Sequence, residues 1–246
     1  MRDEITLSLT TYKHLLDRLN LGEPHPTLVG GERWYPPDER AGLRAAADAE
    51  LDRLGLLRGG RLDDGFLETL HLLQRPSVEY YTWAKFADGH TATVRTAGNG
   101  CTAVVAVANQ HTLHLSPSQP DTLAADLVER LPEAPPAAGL SSTSCSEADY
   151  EALLAGASVP PGSSATSAKY ILRWMRLPRQ HGGRLYAAVR GAAGRRRTMK
   201  PPFWIDVEAG RFLLSLDATG WLSIAAAGTR EVAARLEALA AGLHGR

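Results

Sequence analysis

The sequence predicts an α/β (α+β) protein in which a strand-rich unit closed by a helix occurs twice, with the copies related by a pseudo-twofold axis. Three observations predict this. Residues 78–115 and 184–225 are dominated by segments in which apolar and polar side chains alternate, as in strands. An apolar helical pattern follows each of these regions. The two regions also match each other without gaps at an offset of 109 residues.

The first 76 residues predict one strand followed by three helices. Alternation at residues 5–9 indicates the strand, and apolar residues at helical spacing recur after it. Thr10 or Thr11 is the predicted cap of the first helix, and Gly59-Gly60 is the break after the second. Asp63 or Asp64 is the predicted cap of the third helix, which stops before Pro76.

Four strands joined by tight turns are predicted between residues 78 and 115. Asp88-Gly89 is the strongest short hairpin signal, Asn99-Gly100 is a second one, and Asn109-Gln110 connects the last two strands. Asp121 then begins a helix that continues to Leu131. This region is therefore a predicted antiparallel meander closed by a helix.

The second half repeats this order after a flexible boundary. Residues 132–144 are rich in Pro, Ala, Gly and Ser, which divides the chain into halves, 1–135 and 136–246, that form one compact domain. The predicted elements are helices at 146–156 and 166–177, strands at 184–190, 203–207, 211–216 and 221–225, and a helix at 229–243.

The internal repeat has a definite register. Apolar residues match at an offset of 109: Val105 and Val107 with Leu214 and Leu216, Leu113 and Leu115 with Leu222 and Ile224, and Leu123 and Leu127 with Val232 and Leu236. A slip of one residue would move every strand side chain to the other face, so the preserved phase favours a duplication. Two such sheets paired edge to edge form one wide sheet with helices over it and remove two exposed edges.

Composition and targeting signals indicate an ordinary globular protein. Of the 246 residues, 44% are hydrophobic and 22% are charged, and the formal net charge is zero. No secretory signal begins the sequence, and no run reaches the roughly 18 apolar residues of a spanning helix. Cys101 and Cys145 are too few for a disulfide framework. We therefore expect a cytoplasmic protein.

The sequence contains no recognisable catalytic or metal motif. A nucleophile elbow, a P-loop and a zinc spacing are absent. Glu68 and His71 have the spacing of a di-iron ligand pair, but the second pair is missing. His111 and His114 would point to opposite faces of a strand. We therefore expect a protein that is not an enzyme and uses no metal or cofactor.

The first hairpin carries an aromatic and cationic strip. Strand geometry places Tyr81, Trp83 and Lys85 on one face, with Tyr80, Ala84 and Phe86 on the other. One face is expected to be core, and the composition of the other is enriched at interface hot spots. Coverage of both faces by helices is the alternative.

A second candidate surface is basic. Residues 152–205 contain ten Lys or Arg and no Asp or Glu, and such one-signed regions steer partners of opposite charge. A protein with an acidic surface suits the neutral net charge, and nucleic acid bound by residues 169–200 is the alternative. The candidate residues are Lys169, Arg173 and Arg176 along one predicted helix, and Arg195, Arg196 and Arg197 in a predicted loop.

Several segments resemble the EspG family, the cytosolic chaperones of type VII (ESX) secretion in actinobacteria. The matching segments are Ile5-Thr6-Leu7-Ser8-Leu9-Thr10 running into Leu15-Leu16-Asp17-Arg18-Leu19, Glu39-Arg40 through Leu54-Gly55-Leu56, Gly65-Phe66-Leu67 with Leu70 to Pro76, and Gly210-Arg211-Phe212-Leu213 with Gly220-Trp221-Leu222-Ser223-Ile224. The resemblance covers nearly the whole chain through hydrophobic patterns.

The resemblance implies both a fold and a role. The fold is a pseudo-twofold central antiparallel sheet flanked by two helical bundles, without cofactor or catalysis. The role is to bind the helical tip of a secreted PPE-type protein in its heterodimer and to keep that apolar end covered. We expect the partner to be a PE/PPE- or WXG-like pair, and the protein itself to be a monomer or homodimer. The family's contact hairpin corresponds here to the short turn Phe86-Ala87-Asp88-Gly89-His90, which adds Phe86, Asp88 and His90 to the candidates. The basic segment 191–200 occupies the equivalent hairpin of the second half.

Overall fold

A computed structural model describes residues 4–30, 37–160 and 163–244 of the chain. The helices are α1 (Leu9–Arg18), α2 (Pro37–Arg53), α3 (Asp64–Gln74), α4 (Leu123–Glu129), α5 (Glu147–Leu154), α6 (Ala165–Met175) and α7 (Thr229–His244), with a 3₁₀ helix at Pro26–Leu28. The strands are β1 (Ile5–Ser8), β2 (Leu57–Arg58), β3 (Arg61–Leu62), β4 (Val78–Lys85), β5 (Thr91–Gly98), β6 (Ala103–Ala108), β7 (Thr112–Ser118), β8 (Thr143–Ser146), β9 (His181–Gly191), β10 (Gly194–Arg197), β11 (Phe203–Val207), β12 (Gly210–Leu216) and β13 (Trp221–Ala226).

One antiparallel sheet of eleven strands organises the molecule. Its order is β1-β7-β6-β5-β4-β9-β11-β12-β13-β8, and β10 pairs with β9 outside this path. Reading outward from the centre, β4-β5-β6-β7-β1 corresponds to β9-β11-β12-β13-β8. The two central strands pair antiparallel, with Thr82 opposite Leu185 in the middle of the seam. The duplicated unit and its edge-to-edge pairing are confirmed, while the boundary between residues 135 and 136 stays a prediction.

The two faces of this sheet are covered differently. On one, which we call the helix-pair face, Tyr80, Val105 and Leu185 form a core with apolar residues of α4 and α7. On the other, the bundle face, α1, α2 and α3 cover the first half. Ile171 and Trp174 of α6 pack over the second half. The fold class predicted from the sequence is therefore confirmed. None of the helices in the described ranges combines the length and the apolar composition that a membrane-spanning segment requires.

The register of the repeat differs from the predicted one in one strand pair. In the first half, Val105 pairs with Ser116. The counterpart of Ser116 at an offset of 109 is Ala225, and Ala225 pairs with Leu213. Val105 therefore corresponds to Leu213, and the predicted matches to Leu214 and Leu216 are wrong by one residue. The reason is the turn, because Asn109 pairs with Thr112 whereas Asp217 pairs with Trp221 across one additional residue.

The predicted flexible boundary is partly ordered by strand pairing. Residues 143–146 form β8 at the sheet edge, where Cys145 lies opposite Leu222. Upstream, the Arg211 amide donates to the Pro135 carbonyl, and the Ala137 amide donates to the Arg211 carbonyl. Gly210 has φ +115°, and an added Cβ would lie 2.6 Å from the Pro135 oxygen, so only glycine suits this crossing.

The structure differs from three further predictions, which concern a helix cap, a turn and a loop. Ser8, not Thr10 or Thr11, caps α1 by accepting from the Thr11 amide. Ser146 does the same for α5 by accepting from the Asp149 amide, which repeats the strand-to-helix junction in the second half. Gly59-Gly60 is the turn of the small β2–β3 hairpin. The predicted basic loop 191–200 contains β10, so it forms a hairpin with β9.

Candidate protein-binding surface

The centre of the bundle face is an aromatic cluster across the seam between β4 and β9. Tyr81 lies opposite Tyr186, and Trp83 lies opposite Arg184. The Tyr81 and Tyr186 rings stack with centroids 4.9 Å apart. The Trp83 ring meets both edge-on, at 5.6 Å and 5.4 Å. Each half of the molecule therefore contributes to one interlocked cluster, which packing holds in a fixed geometry.

Exposure divides the predicted strip into a base and a surface. Tyr81 is 1% exposed, so its predicted availability to a partner is wrong: it lies beneath its neighbours and supports them. Trp83 is 39% exposed and Lys85 is exposed beside it. Arg184 is exposed and lies 4.6 Å above the Phe203 ring. We call Trp83, Lys85, Arg184 and Tyr186 the seam surface; it combines aromatic area with positive charge.

A buried carboxylate joins the two halves beside this cluster. Glu79 accepts from Arg95 Nε at 2.7 Å through one oxygen and from Arg195 Nε at 2.6 Å through the other. Glu79 and Arg95 are almost fully buried, whereas 29% of the Arg195 side chain is exposed. Arg195 also lies 5.9 Å from the Tyr81 ring centroid. The aromatic strip and the basic hairpin, which the sequence treats as separate candidates, therefore meet here.

The protonation states of this network follow from burial and charge. Burial, and then the nearby Arg95 guanidinium, lower the pKa of His25 to about 3. The neutral ring packs edge-on against Tyr81 with centroids 4.8 Å apart. Burial alone would raise the pKa of Glu79, but Arg95 and Arg195 hold it below the ordinary value. The site is thus ionised at Glu79 and neutral at His25 near pH 7.

The fold and this geometry can be compared with known proteins. The family model described as EspG matches residues 8–238. The chain belongs to the EspG family. Among solved structures, the fold is similar to that of the Mycobacterium tuberculosis type VII secretion system chaperone EspG5, solved in complex with the PE25–PPE41 dimer. The identity is 16%, the TM-score is 0.68, and the match covers 96% of this chain and 95% of that one. No curated protein sequence matches.

The turn between β4 and β5 is short in this EspG protein. Asp88 accepts from the His90 amide, and the two side chains form an exposed pair with Asp88 Oδ2 2.8 Å from His90 Nδ1. This hydrogen bonding, to the ring and to the amide, holds the pKa of Asp88 below its ordinary value. Phe86 turns away from the seam surface and packs with the core of the helix-pair face. Of the predicted hairpin candidates, Asp88 and His90 are therefore solvent-facing, and Phe86 is partly structural.

The basic candidates fall into two groups. Lys169 and Arg173 are exposed on α6, and Arg176 is exposed at its C-cap. The opposite side of the helix packs against Phe212 and other core residues. The second group lies on β10, where Arg195 and Arg197 are exposed and Arg196 is half-buried between them. In the part of the chain that the structure describes, no cluster of His, Cys, Asp and Glu could hold a metal ion.

Sequence reasoning missed four residues of the site: Glu79, His25, Arg184 and Tyr186. A signal existed for the last two, because Arg184 and Tyr186 repeat the alternation of Tyr81 and Trp83 in the corresponding strand. No local signal marks Glu79 and His25, since their importance comes from Arg195, which follows them by more than 100 residues.

Proposed function

We propose that this protein is a cytoplasmic chaperone of type VII secretion that binds the apolar helical tip of a PE/PPE-type heterodimer and keeps it soluble for export. Membership of the EspG family over residues 8–238 is the observation that carries the proposal. The fold shared along the whole chain with a chaperone solved on a PE–PPE dimer supports it. A WXG-like pair is an alternative cargo of the same helical kind.

The seam surface is the proposed centre of the contact. Trp83 offers a broad apolar face, and Lys85 and Arg184 flank it with positive charge. Aromatic residues and arginine are enriched among interface hot spots. Asp88 and His90 at the end of the β4–β5 hairpin are proposed as the rim, together with Lys169, Arg173 and Arg176.

The rigidity of the seam surface favours tight binding. Trp83 rests on two stacked tyrosines, and Arg184 rests on Phe203. Because these side chains are already ordered, a partner recovers most of the energy of contact without the cost of immobilising them. A helical apolar tip that covers Trp83 would remove from water the exposed part of that ring.

Co-expression tests the proposal. PE–PPE pairs from the same genome are co-expressed with the chain, and we expect a soluble complex of all three proteins on gel filtration. Trp83→Ala should weaken it. Trp221→Ala is the matched control, because Trp221 is also exposed but alternates with Leu222 and Ile224, so it faces away from the bundle face. Failure of every pair to form a complex would refute the proposal.

Binding of nucleic acid by residues 169–200 is not proposed. Two cations of that region already have partners within the protein, since Arg195 pairs with Glu79 and Arg184 stacks on Phe203. Among the described residues, no structural feature favours recognition of nucleic-acid bases or phosphates over binding of a protein partner.

A further inference from the structure

The hairpin formed by β9 and β10 has an open edge. Strand β9 pairs with β4 on one side and with β10 and β11 on the other. Strand β10 pairs with β9 and, among the described residues, has no strand on its other side. Its residues Arg195 and Arg197 are exposed. A strand edge of this kind is a template for pairing with another chain.

The ladder identifies which backbone groups face outward. The Thr198 amide donates inward, to the Ala187 carbonyl. Successive residues of an antiparallel strand direct their backbone amide and carbonyl groups alternately to one neighbouring strand and to the other side. The backbone groups of Arg196 therefore also bind β9, and those of Arg195 and Arg197 point away from it. These outward groups are those that an added strand would bind.

The hairpin is positively charged and firmly held. Arg190 and Arg197 are exposed, and neither forms an ion pair with a carboxylate of the described residues. Arg195, by contrast, is fixed to the buried Glu79 through a 2.6 Å contact, which attaches the edge to the central sheet. The open edge is therefore rigid rather than a mobile loop, and a strand added to it would meet a positive field.

We propose that the open edge of β10 binds an extended acidic segment of a partner protein as an added strand. Charge complementarity selects this occupant. The added strand would place alternate side chains beside Arg195 and Arg197, which favours Asp or Glu at those positions. A second copy of this chain is disfavoured, because edge-to-edge pairing of two β10 strands would place arginine opposite arginine. This contact uses the strand edge beside the seam surface and not the seam surface itself.

A peptide titration tests the proposal with two matched variants. The probe is a fluorescein-labelled peptide of alternating glutamate and valine, and the control peptide has proline in place of every valine. Arg197→Ala removes a charge and keeps the outward amide. Arg197→Pro removes the amide as well but leaves the inward ladder, which uses Arg196, untouched. Fluorescence anisotropy at constant salt gives the affinities, and thermal melts confirm that both variants fold.

We expect the valine peptide to bind and the proline peptide to bind at least tenfold more weakly. Arg197→Pro should lose about fivefold more affinity than Arg197→Ala, as expected for one backbone hydrogen bond. Hydrogen exchange at the Arg195 and Arg197 amides should slow when the valine peptide is bound. If Arg197→Pro does not fold, a valine peptide N-methylated at alternate residues replaces it and should bind at least fivefold more weakly.

Three results would overturn the proposal. One is equal binding of the two peptides, which would mean charge attraction without strand pairing. Another is preference for a single-stranded oligonucleotide over the valine peptide. The third is absence of peptide binding combined with self-association of Arg197→Ala, which would mean that the arginines only protect the edge.

Discussion

Glu79→Gln tests whether one buried carboxylate holds the seam together. The substitution preserves shape but removes the negative charge that faces Arg95 and Arg195. Arg95 is 1% exposed, and among the described residues its other hydrogen-bond partner is the Leu73 carbonyl, which accepts from Nη2. An arginine left uncompensated in such surroundings costs about 3–5 kcal/mol. For a chain of this size, that corresponds to a fall in Tm of roughly 6–20 °C.

Urea unfolding followed by circular dichroism measures this loss, with a surface Glu→Gln change as control. Glu23 is largely exposed and lies 3.7 Å from Lys13, so Glu23→Gln should change the free energy of unfolding by less than about 0.5 kcal/mol. The double variant Glu79→Leu with Arg95→Met should recover most of the stability, because it removes both charges. A loss below about 1 kcal/mol for Glu79→Gln would refute the role assigned to Glu79.

The remaining predictions concern binding, packing and pH. Trp83→Ala or Lys85→Glu should weaken cargo binding by more than about 1 kcal/mol in calorimetry while the protein stays folded. Lys85→Glu should leave Tm unchanged, whereas Trp83→Ala should lower it modestly because the ring contacts with Tyr81 and Tyr186 are lost. Unfolding of either variant would mark that residue as core instead. Gly183→Ala should lower the free energy of unfolding in urea by about 2–3 kcal/mol, because the added Cβ would clash with the Trp83 carbonyl oxygen. The control Gly191→Ala should be nearly neutral, since the space around Gly191 is open. Equal effects of the two substitutions would contradict the packing of the seam. Folding lowers the pKa of His25 from its ordinary value of 6.5 to about 3. Between these pH values the unfolded state binds one more proton at His25 than the folded state does, so the free energy of unfolding falls as pH falls, by up to about 1.4 kcal/mol per pH unit. His25→Gln should flatten this slope in urea midpoints between pH 7 and pH 4, and an unchanged slope would contradict the burial of a neutral ring.

Much of the sheet could be predicted because its signals are local. The alternation in β4 and the turns at Asp88-Gly89 and Asn99-Gly100 fix the strands of the first meander. Strands β8 and β10 were missed because their sequences, Thr-Ser-Cys-Ser and Gly-Arg-Arg-Arg, are short and polar. Such segments become strands only because a neighbouring strand offers its edge, which no local pattern records.

The site was predictable only in part, for a related reason. Exposure of Trp83 and burial of Tyr81 depend on what covers each ring, although both have the same strand phase. Tyr81 is covered by His25 and approached by Arg195, residues far from it in the sequence. The register slip between Val105 and Leu214 likewise depends on one residue in a turn. Local alternation identifies a face, and tertiary contacts decide how much of that face is surface.

Binding of a PE–PPE heterodimer with and without its helical tip tests the proposed chaperone role most directly. Calorimetry with the intact pair should give one chaperone per heterodimer, and removal of the tip should abolish binding. Hydrogen exchange on the complex should slow around residues 81–90 and 184–186. Unchanged binding after removal of the tip, or protection confined to α4 and α7 on the helix-pair face, would contradict a role for the seam surface in chaperoning this cargo.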